Sequence, residues 1–454
     1  VAVDPAFPLA EHVCRTQFSD LPAATVTATK RDILDTFGCM LGGSAAPGID
    51  ALCTLLDEWG GREEARVLLR NRRLPAPQAA LLNASMGHAL DFDDTMDHGG
   101  SIHPGVSVLG ASLAMADRLG AVSGRDFVAA VALGLDVSCR IALASTLDRG
   151  WHRTAAIGIF GATAAAGKLL GLNAGQMRHA LGIAYSHAAG NRQCIVDGAL
   201  TKRLQAGQAA SGGVFAALLA QRDFSGAHNI FSGRFGFFEL YQPNGADPSR
   251  LLADLGSAFR GDELSFKPYP CGRPLHAAID AALAVRAELG VTEPGQIATV
   301  TIAADPANHA DQFGSGPHKS RPTQVVEAQF AEPFLVAAAL AHGRLGIAEV
   351  SGFDDPSVLA LAARIHGEAR LERSKGWLEI TVQHVDGRIA AVTASDPLGS
   401  PHKPLSEAQF AAKFRDCAGN AGRPIEPERV DAALRTLGGL ELAPDVTELL
   451  GLFA

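Results

Sequence analysis

From residue 8 to about 222 the chain offers one apolar-striped or wholly apolar helix after another and almost no alternating strand pattern. A stretch that long with a helical period can bury its apolar surface only by packing helix against helix. In 22–41, Val26, Ile33, Leu34, Phe37, Met40 and Leu41 fall largely on one stripe; Pro22 suits a first turn and Gly42-Gly43 a stop. Similar helices are expected near 47–59, 75–92, 104–118, 124–146, 154–170, 174–188 and 200–221, with Ser123 and Asn173 as N-caps. The chain contains 49 Gly, and small residues let helix axes approach, so a tight bundle is expected.

The pattern changes after about 265. Residues 297–303, 377–383 and 388–393 read as strands, the last two joined through Asp386-Gly387, a strong hairpin signal. Helices at 274–289 and 326–342 lie among them, which predicts a smaller α+β domain over roughly 268–400. Helices return at 406–418, 427–437 and 444–452; pattern alone allows them to form a third domain or to rejoin the first bundle. At 454 residues the chain is too long for one core.

Composition narrows the function. Hydrophobic residues make up 47% and charged ones 19%, which suits large buried cores. The net charge of −9 and the absence of a long Lys/Arg run argue against a nucleic-acid partner. The seven Cys are odd in number and scattered, without a C-x-x-C, so neither a disulfide framework nor a cysteine zinc site is expected. Residues 1–20 carry Asp4, Glu11, Arg15 and Asp20 instead of a basic patch and an apolar run, so no export signal is expected and a cytoplasmic setting fits. The most apolar segments, 127–144 and 154–171, are interrupted by Asp136 and Arg140 and by several Gly and Lys168; they read as buried helices, not membrane spans.

The densest polar cluster is His88-Ala-Leu-Asp91-Phe-Asp93-Asp94-Thr95-Met-Asp97-His98, followed by His103-Pro104. Acids this close raise one another's pKa, one way in which general acids and bases arise. The same stretch contains Asp93-Asp94-x-x-Asp97, which on a helix would offer carboxylates to Mg²⁺ and a diphosphate. His152 stands before an apolar helix, where a helix N-terminus would keep its ring neutral. Lys202 and Arg203 open another helix at the end where cations are disfavoured, and an anionic ligand would offset that cost. At the domain border, Lys267, Cys271, Arg273 and His276 lie in a proline-stiffened segment; Arg273 can grip a carboxylate with two hydrogen bonds.

These pieces, in order, resemble the MmgE/PrpD family, which includes 2-methylcitrate dehydratase, cis-aconitate decarboxylase and iminodisuccinate epimerase. The resemblance runs through Met86-Gly-His-Ala-Leu-Asp-Phe-Asp-Asp-Thr95, His103-Pro104, Gly150-Trp-His152, Thr201-Lys202, Phe231-Ser-Gly233, Gly236-Phe-Phe238, Phe266-Lys267-Pro-Tyr-Pro270, Glu327-Ala-Gln-Phe330 and Gly399-Ser-Pro401. It implies a mainly α fold: a large helical-bundle domain from both chain ends, 1–267 completed by 401–454, plus a smaller α+β lid domain over 268–400. It further implies a homodimer, no metal and no cofactor, and a pocket between the domains for a small polycarboxylate. Asp91, Thr95, His103, His152, Lys202 and Lys267 match residues lining that pocket in the family.

The three family reactions share a step in which negative charge builds on carbon beside a carboxylate, which calls for a placed base and nearby cations. The expected roles are Asp91 and His152, with His103, as the acid–base groups, and Thr95, Lys202, Lys267 and Arg273 as substrate ligands. Many members have Lys-Pro-Leu-His where this chain has Lys202-Arg203-Leu204-Gln205, so a proton carrier is missing at Gln205. Decarboxylases of the family have Ala-His where Cys271-Gly272 stands and a Tyr aligned with Phe334. These departures rank 2-methylcitrate-type dehydration, a reaction of propionate metabolism, first, epimerisation second and decarboxylation last. A Mg²⁺-dependent diphosphate enzyme using Asp93, Asp94 and Asp97 is the reading from a different class.

Overall fold

The computed structural model describes residues 3–97, 99, 101–394 and 396–453; His98 of the polar cluster lies outside the described residues. The chain is mainly helical and separates into two compact units. One comprises Val1–Ala89, Asp93–Phe266 and Glu407–Ala454, the other Leu90–Phe92 and Lys267–Ser406.

The first unit is built on the helices Ala23–Gly42, Ala76–Gly87, Pro104–Leu119, Gly124–Ala144, Gly158–Leu169 and Thr201–Ala220. Ser123 and Asn173 cap as their sequence positions suggest: each side chain accepts a backbone N–H three residues on. Glycine sets the helix spacing. A β-carbon on Gly161 would lie 2.4 Å from the Gly134 carbonyl oxygen, and one on Gly207 would lie 2.4 Å from the Leu81 carbonyl and 2.2 Å from Ser85 Oγ. Thr201–Ala220 therefore packs backbone-close against Ala76–Gly87. Glu407–Gly419, the first of the helices that follow the second unit, packs on Ala23–Gly42, where Lys413 Nζ meets Asp35 Oδ1 at 2.5 Å and both side chains are buried.

Gly124–Ala144 is apolar and long enough to cross a membrane, yet 94% of its apolar window is buried inside the protein. It carries a buried ion pair, Arg140 Nε to Asp136 Oδ2 at 2.7 Å. Arg140 also donates to the carbonyls of Leu251, Ala253 and Ala258, and Asp136 Oδ1 accepts from Arg260 N. The pair thus fastens the irregular 251–260 segment to the helix. Several elements differ from the sequence pattern. The helix expected over 75–92 stops at Gly87, and the one expected over 154–170 is broken at Ile157 into Arg153–Ala156 and Gly158–Leu169. A short hairpin, Ala65–Val67 with Arg72–Leu74, stands in the otherwise helical region.

In the second unit a four-stranded sheet has the order Ile365–Ala369, Ile297–Ala304, Leu378–His384, Ile389–Thr393; the first pair is parallel and the others antiparallel. Gly387 turns the expected hairpin at φ +93°. His276–Leu289 covers the two last strands and packs on Glu332–His342. The edge strand Ile365–Ala369 has no alternating pattern to announce it. Its Gly367 is overlaid by the Phe313 ring, 2.4 Å from where a β-carbon would stand.

Glu332, fully buried at the start of its helix, accepts from Asn308 Nδ2 at 3.2 Å, and burial pushes its pKa up to about 7. The folded chain therefore retains this proton over a range in which the unfolded chain has already lost it, so stability falls as pH rises from the unfolded value near 4.5 toward 7. Glu332→Gln is expected to remove this slope, and to gain on the order of 3 kcal/mol over the native chain at pH 8 relative to pH 4. Unfolding midpoints of both proteins at the two pH values check it; parallel slopes refute it. Arg140→Ala, which strands buried Asp136 and three carbonyls, is expected to cost about 3–5 kcal/mol in the same measurement.

Candidate active site

The helix Ala76–Gly87 ends where His88 caps it, donating its N–H to the Ala84 carbonyl at 3.1 Å. An irregular loop then leads to Pro104–Leu119. Within it Asp93 Oδ2 lies 2.7 Å from His88 Nδ1, and His88 Nε2 lies 3.1 Å from Lys202 Nζ. An ammonium only donates, so His88 Nε2 accepts from Lys202 and Nδ1–H donates to Asp93. All three side chains are buried. The result is a relay, carboxylate to imidazole to ammonium, assembled from the loop and from the first turn of Thr201–Ala220.

Two further imidazoles stack around it. The ring centroids of His88 and His103 are 5.2 Å apart, and those of His88 and His152 are 5.4 Å apart and near parallel. His103 Nδ1 donates to the Asp94 carbonyl at 2.5 Å, and its backbone N–H donates to Thr154 Oγ1. His152 Nδ1 is 2.9 Å from Gln205 Oε1, while its Nε2 is buried with no hydrogen-bond partner among the described residues. Burial first, then the neighbouring His88, Lys202 and His103, hold the His152 pKa well below the usual imidazole value. The ring is thus neutral at pH 7 as expected, but the cause differs: the helix it precedes, Arg153–Ala156, is a single turn.

In the second unit Asp91 takes the left-handed conformation at φ +51°, which Asp tolerates better than most residues. Its carbonyl and its Oδ1 both accept from Lys267 Nζ, at 2.9 and 2.5 Å, and Lys267 is fully buried. Arg273 Nη1 donates to the Leu398 carbonyl at 2.8 Å and lies 3.5 Å from His276 Nδ1. His276 Nε2 donates to the Cys271 carbonyl, so its Nδ1 lone pair faces Arg273; burial and the Arg273 charge hold that imidazole neutral. Burial pushes the Cys271 thiol far up, away from nucleophilic use.

The structure thus groups His103, His152 and Lys202 in one cluster and joins Asp91 to Lys267 in another. Thr95 pairs with Ser265 through its backbone in both directions, and Arg273 is engaged with the Leu398 carbonyl. The arrangement required for a diphosphate enzyme is not formed. Asp93, Asp94 and Asp97 lie in a loop, not on a helix. Asp93 serves His88, both Asp94 oxygens cap Pro104–Leu119 through Gly105 N, and Asp97 accepts from Ser265 Oγ. Among the described residues no group of three or more His, Cys, Asp or Glu could hold a metal ion. His88 and Gln205 were not among the expected site residues. The signal for His88 was its place five residues before Asp93 in the polar cluster.

The sequence that folds this way matches one enzyme family over most of its length. Residues 8–248 match the MmgE/PrpD N-terminal domain and residues 269–436 the MmgE/PrpD C-terminal domain. The chain belongs to the MmgE/PrpD family of enzymes. A cis-aconitate decarboxylase-like protein, oryM, of Aspergillus oryzae is 28% identical, covering 96% of this chain and 94% of its own length. The cis-aconitate decarboxylase of Aspergillus terreus is 26% identical, covering 95% and 92%, and that of Homo sapiens 27% identical, covering 83% and 79%. These relatives are lyases that bear the name the sequence reading ranked last of three; none supports 2-methylcitrate dehydration in particular.

A depressed His152 pKa has a spectroscopic consequence. In ¹⁵N NMR of histidine-labelled protein, assigned by the loss of one signal in His152→Ala, the ring is expected to titrate well below pH 6.5. Lys202→Met removes a neighbouring cation and is expected to move that titration upward. A His152 midpoint at the ordinary value would contradict the burial argument.

Proposed function

We propose that the protein is a lyase acting on a small tricarboxylate of the cis-aconitate type, with His152 moving a proton at the carbon beside a carboxylate. The observation that carries the proposal is the buried, unpartnered Nε2 of His152 next to the Lys202 ammonium and two further imidazoles. A neutral ring with an available lone pair takes a carbon-bound proton, and a nearby cation stabilises the carboxylate on which charge then accumulates. The Asp93–His88 pair fixes Lys202 as that cation. Asp91 and His103 retain the proposed acid–base roles, and Thr95, Lys267 and Arg273 those of substrate ligands.

The names of the curated relatives favour loss of carbon dioxide from such an acid; in that reaction the C–C bond breaks, its electron pair stays on the acid as an allylic carbanion, and His152, having first taken up a proton from water, delivers it to that carbon. A second reading, loss or gain of water, is favoured by one feature of the second unit. At Gly272, where decarboxylases of the family have His, the Phe330 ring lies 2.9 Å from where a β-carbon would stand. No side chain fits there with Phe330 in place.

Proton NMR in D₂O with cis-aconitate, citrate, 2-methylcitrate and iminodisuccinate in turn tests the proposal. Turnover of cis-aconitate is expected. Release of CO₂ supports decarboxylation, and the appearance of a hydroxy acid supports the second reading. His152→Ala is expected to lower turnover by roughly 100-fold or more. Exchange confined to iminodisuccinate, or no reaction of any of the four, overturns the proposal.

A further inference from the structure

We propose that Gln205 is a positioning residue that locks His152 in the tautomer with its proton on Nδ1 and its lone pair on Nε2. The inference rests on His152 being the base, and it reverses the expectation that Gln205 marks a lost proton carrier.

The amide of Gln205 has one sensible orientation. Its Oε1 accepts from Asn191 N at 3.0 Å, and its Nε2 donates to the Asn191 carbonyl at 3.1 Å and to Cys194 Sγ at 3.6 Å. Turning the amide over would set an NH₂ against the Asn191 N–H and a carbonyl against the Asn191 carbonyl, losing both bonds and leaving like groups opposed. With Oε1 thus fixed, and 2.9 Å from His152 Nδ1, the ring nitrogen must carry the proton. The other nitrogen, Nε2, is then the lone-pair site, and it is the buried atom with no partner.

The backbone is built to allow this. His152 N donates to the Gly190 carbonyl at 3.2 Å, and Trp151 pairs with Asn191 in an isolated bridge. Gly190 has φ +125°; a β-carbon there would lie 2.9 Å from Gln205 Oε1 and 2.9 Å from the Ala155 β-carbon. Only glycine lets this strand-like segment run beside the ring and the amide without displacing either. The chemistry of the residue type matters as well. An imidazole at this position could donate or accept, and would titrate near neutral pH. A carboxamide does not titrate, and in the orientation held by Asn191 it presents His152 with an uncharged acceptor at every pH. His152 therefore retains a single tautomer, and burial together with His88, Lys202 and His103 outweighs the upward pull of the Gln205 hydrogen bond on its ionisation.

The test separates this proposal from the assignment of activity. Long-range ¹H–¹⁵N correlation of the His152 ring reads the tautomer directly and needs no substrate. In the native protein above the His152 pKa, a pyrrole-type Nδ1 and a pyridine-type Nε2 are expected. Gln205→Met removes the acceptor while keeping similar length, and is expected to give averaged or reversed nitrogen types. On an identified substrate it is expected to lower kcat by roughly 10²-fold with little change in KM. Gln205→Glu keeps an acceptor but adds charge: the tautomer is retained, and the His152 titration and the acid limb of the kcat profile move to higher pH. A native ring with its proton on Nε2 overturns the proposal, as does a Gln205→Met variant with unchanged nitrogen types. If the tautomer behaves as expected but His152→Ala leaves turnover intact, the positioning stands and the choice of base falls.

Discussion

The contact at Gly207 governs the placement of nearly everything else in the helical unit's polar cluster. Thr201–Ala220 meets Ala76–Gly87 at a distance that excludes a β-carbon, with Gly207 against Leu81 and Ser85. The helices run in opposite senses there, so three residues beyond Ser85 and five before Gly207 the chain brings His88 and Lys202 to hydrogen-bond distance. A bulkier residue at this crossing would push the two helices apart and separate the ammonium from its imidazole. The many small residues of the chain thus act on chemistry through geometry: they set helix spacing, and the spacing sets which charged groups can be neighbours away from water.

Burial then determines what those groups can be. The same low-polarity surroundings that hold His152 neutral push the carboxyl of Asp94 up, the latter reinforced by Asp32 and Asp93 nearby. One interior therefore contains a base that resists protonation and an acid that resists ionisation. Lys413 is an exception: the Asp35 carboxylate beside it outweighs burial and holds its ammonium above the ordinary value.

Local order was legible in the sequence because it depends on neighbours a few residues apart. Periodicity located the main helices, Ser123 and Asn173 announced their caps, and Asp386-Gly387 announced its hairpin. Short polar elements were not legible: Ile365–Ala369 forms a strand because Ile297–Ala304 lies beside it, not because its own residues alternate. For the site, the types and order of His103, His152 and Lys202 stood out, but their partners did not. His88 and Lys202 are 114 positions apart, and His152 and Gln205 are 53 apart. No spacing rule reaches that far. The alternative in which Asp93 and Asp94 bind Mg²⁺ arose for the same reason: nothing local reveals that one carboxylate faces an imidazole and the other a helix end.

The ring of Phe330 over Gly272 has a consequence for how such a chain can change over generations. A β-carbon at position 272 would meet the Phe330 ring at 2.9 Å, whereas the nearest backbone atom, the Gln329 carbonyl oxygen, stands at 3.6 Å. An exchange at 272 is therefore taken up by a turn of one ring and not by a shift of the chain. The two positions are coupled through that rotation: what a new side chain at 272 can reach depends on where the ring at 330 goes.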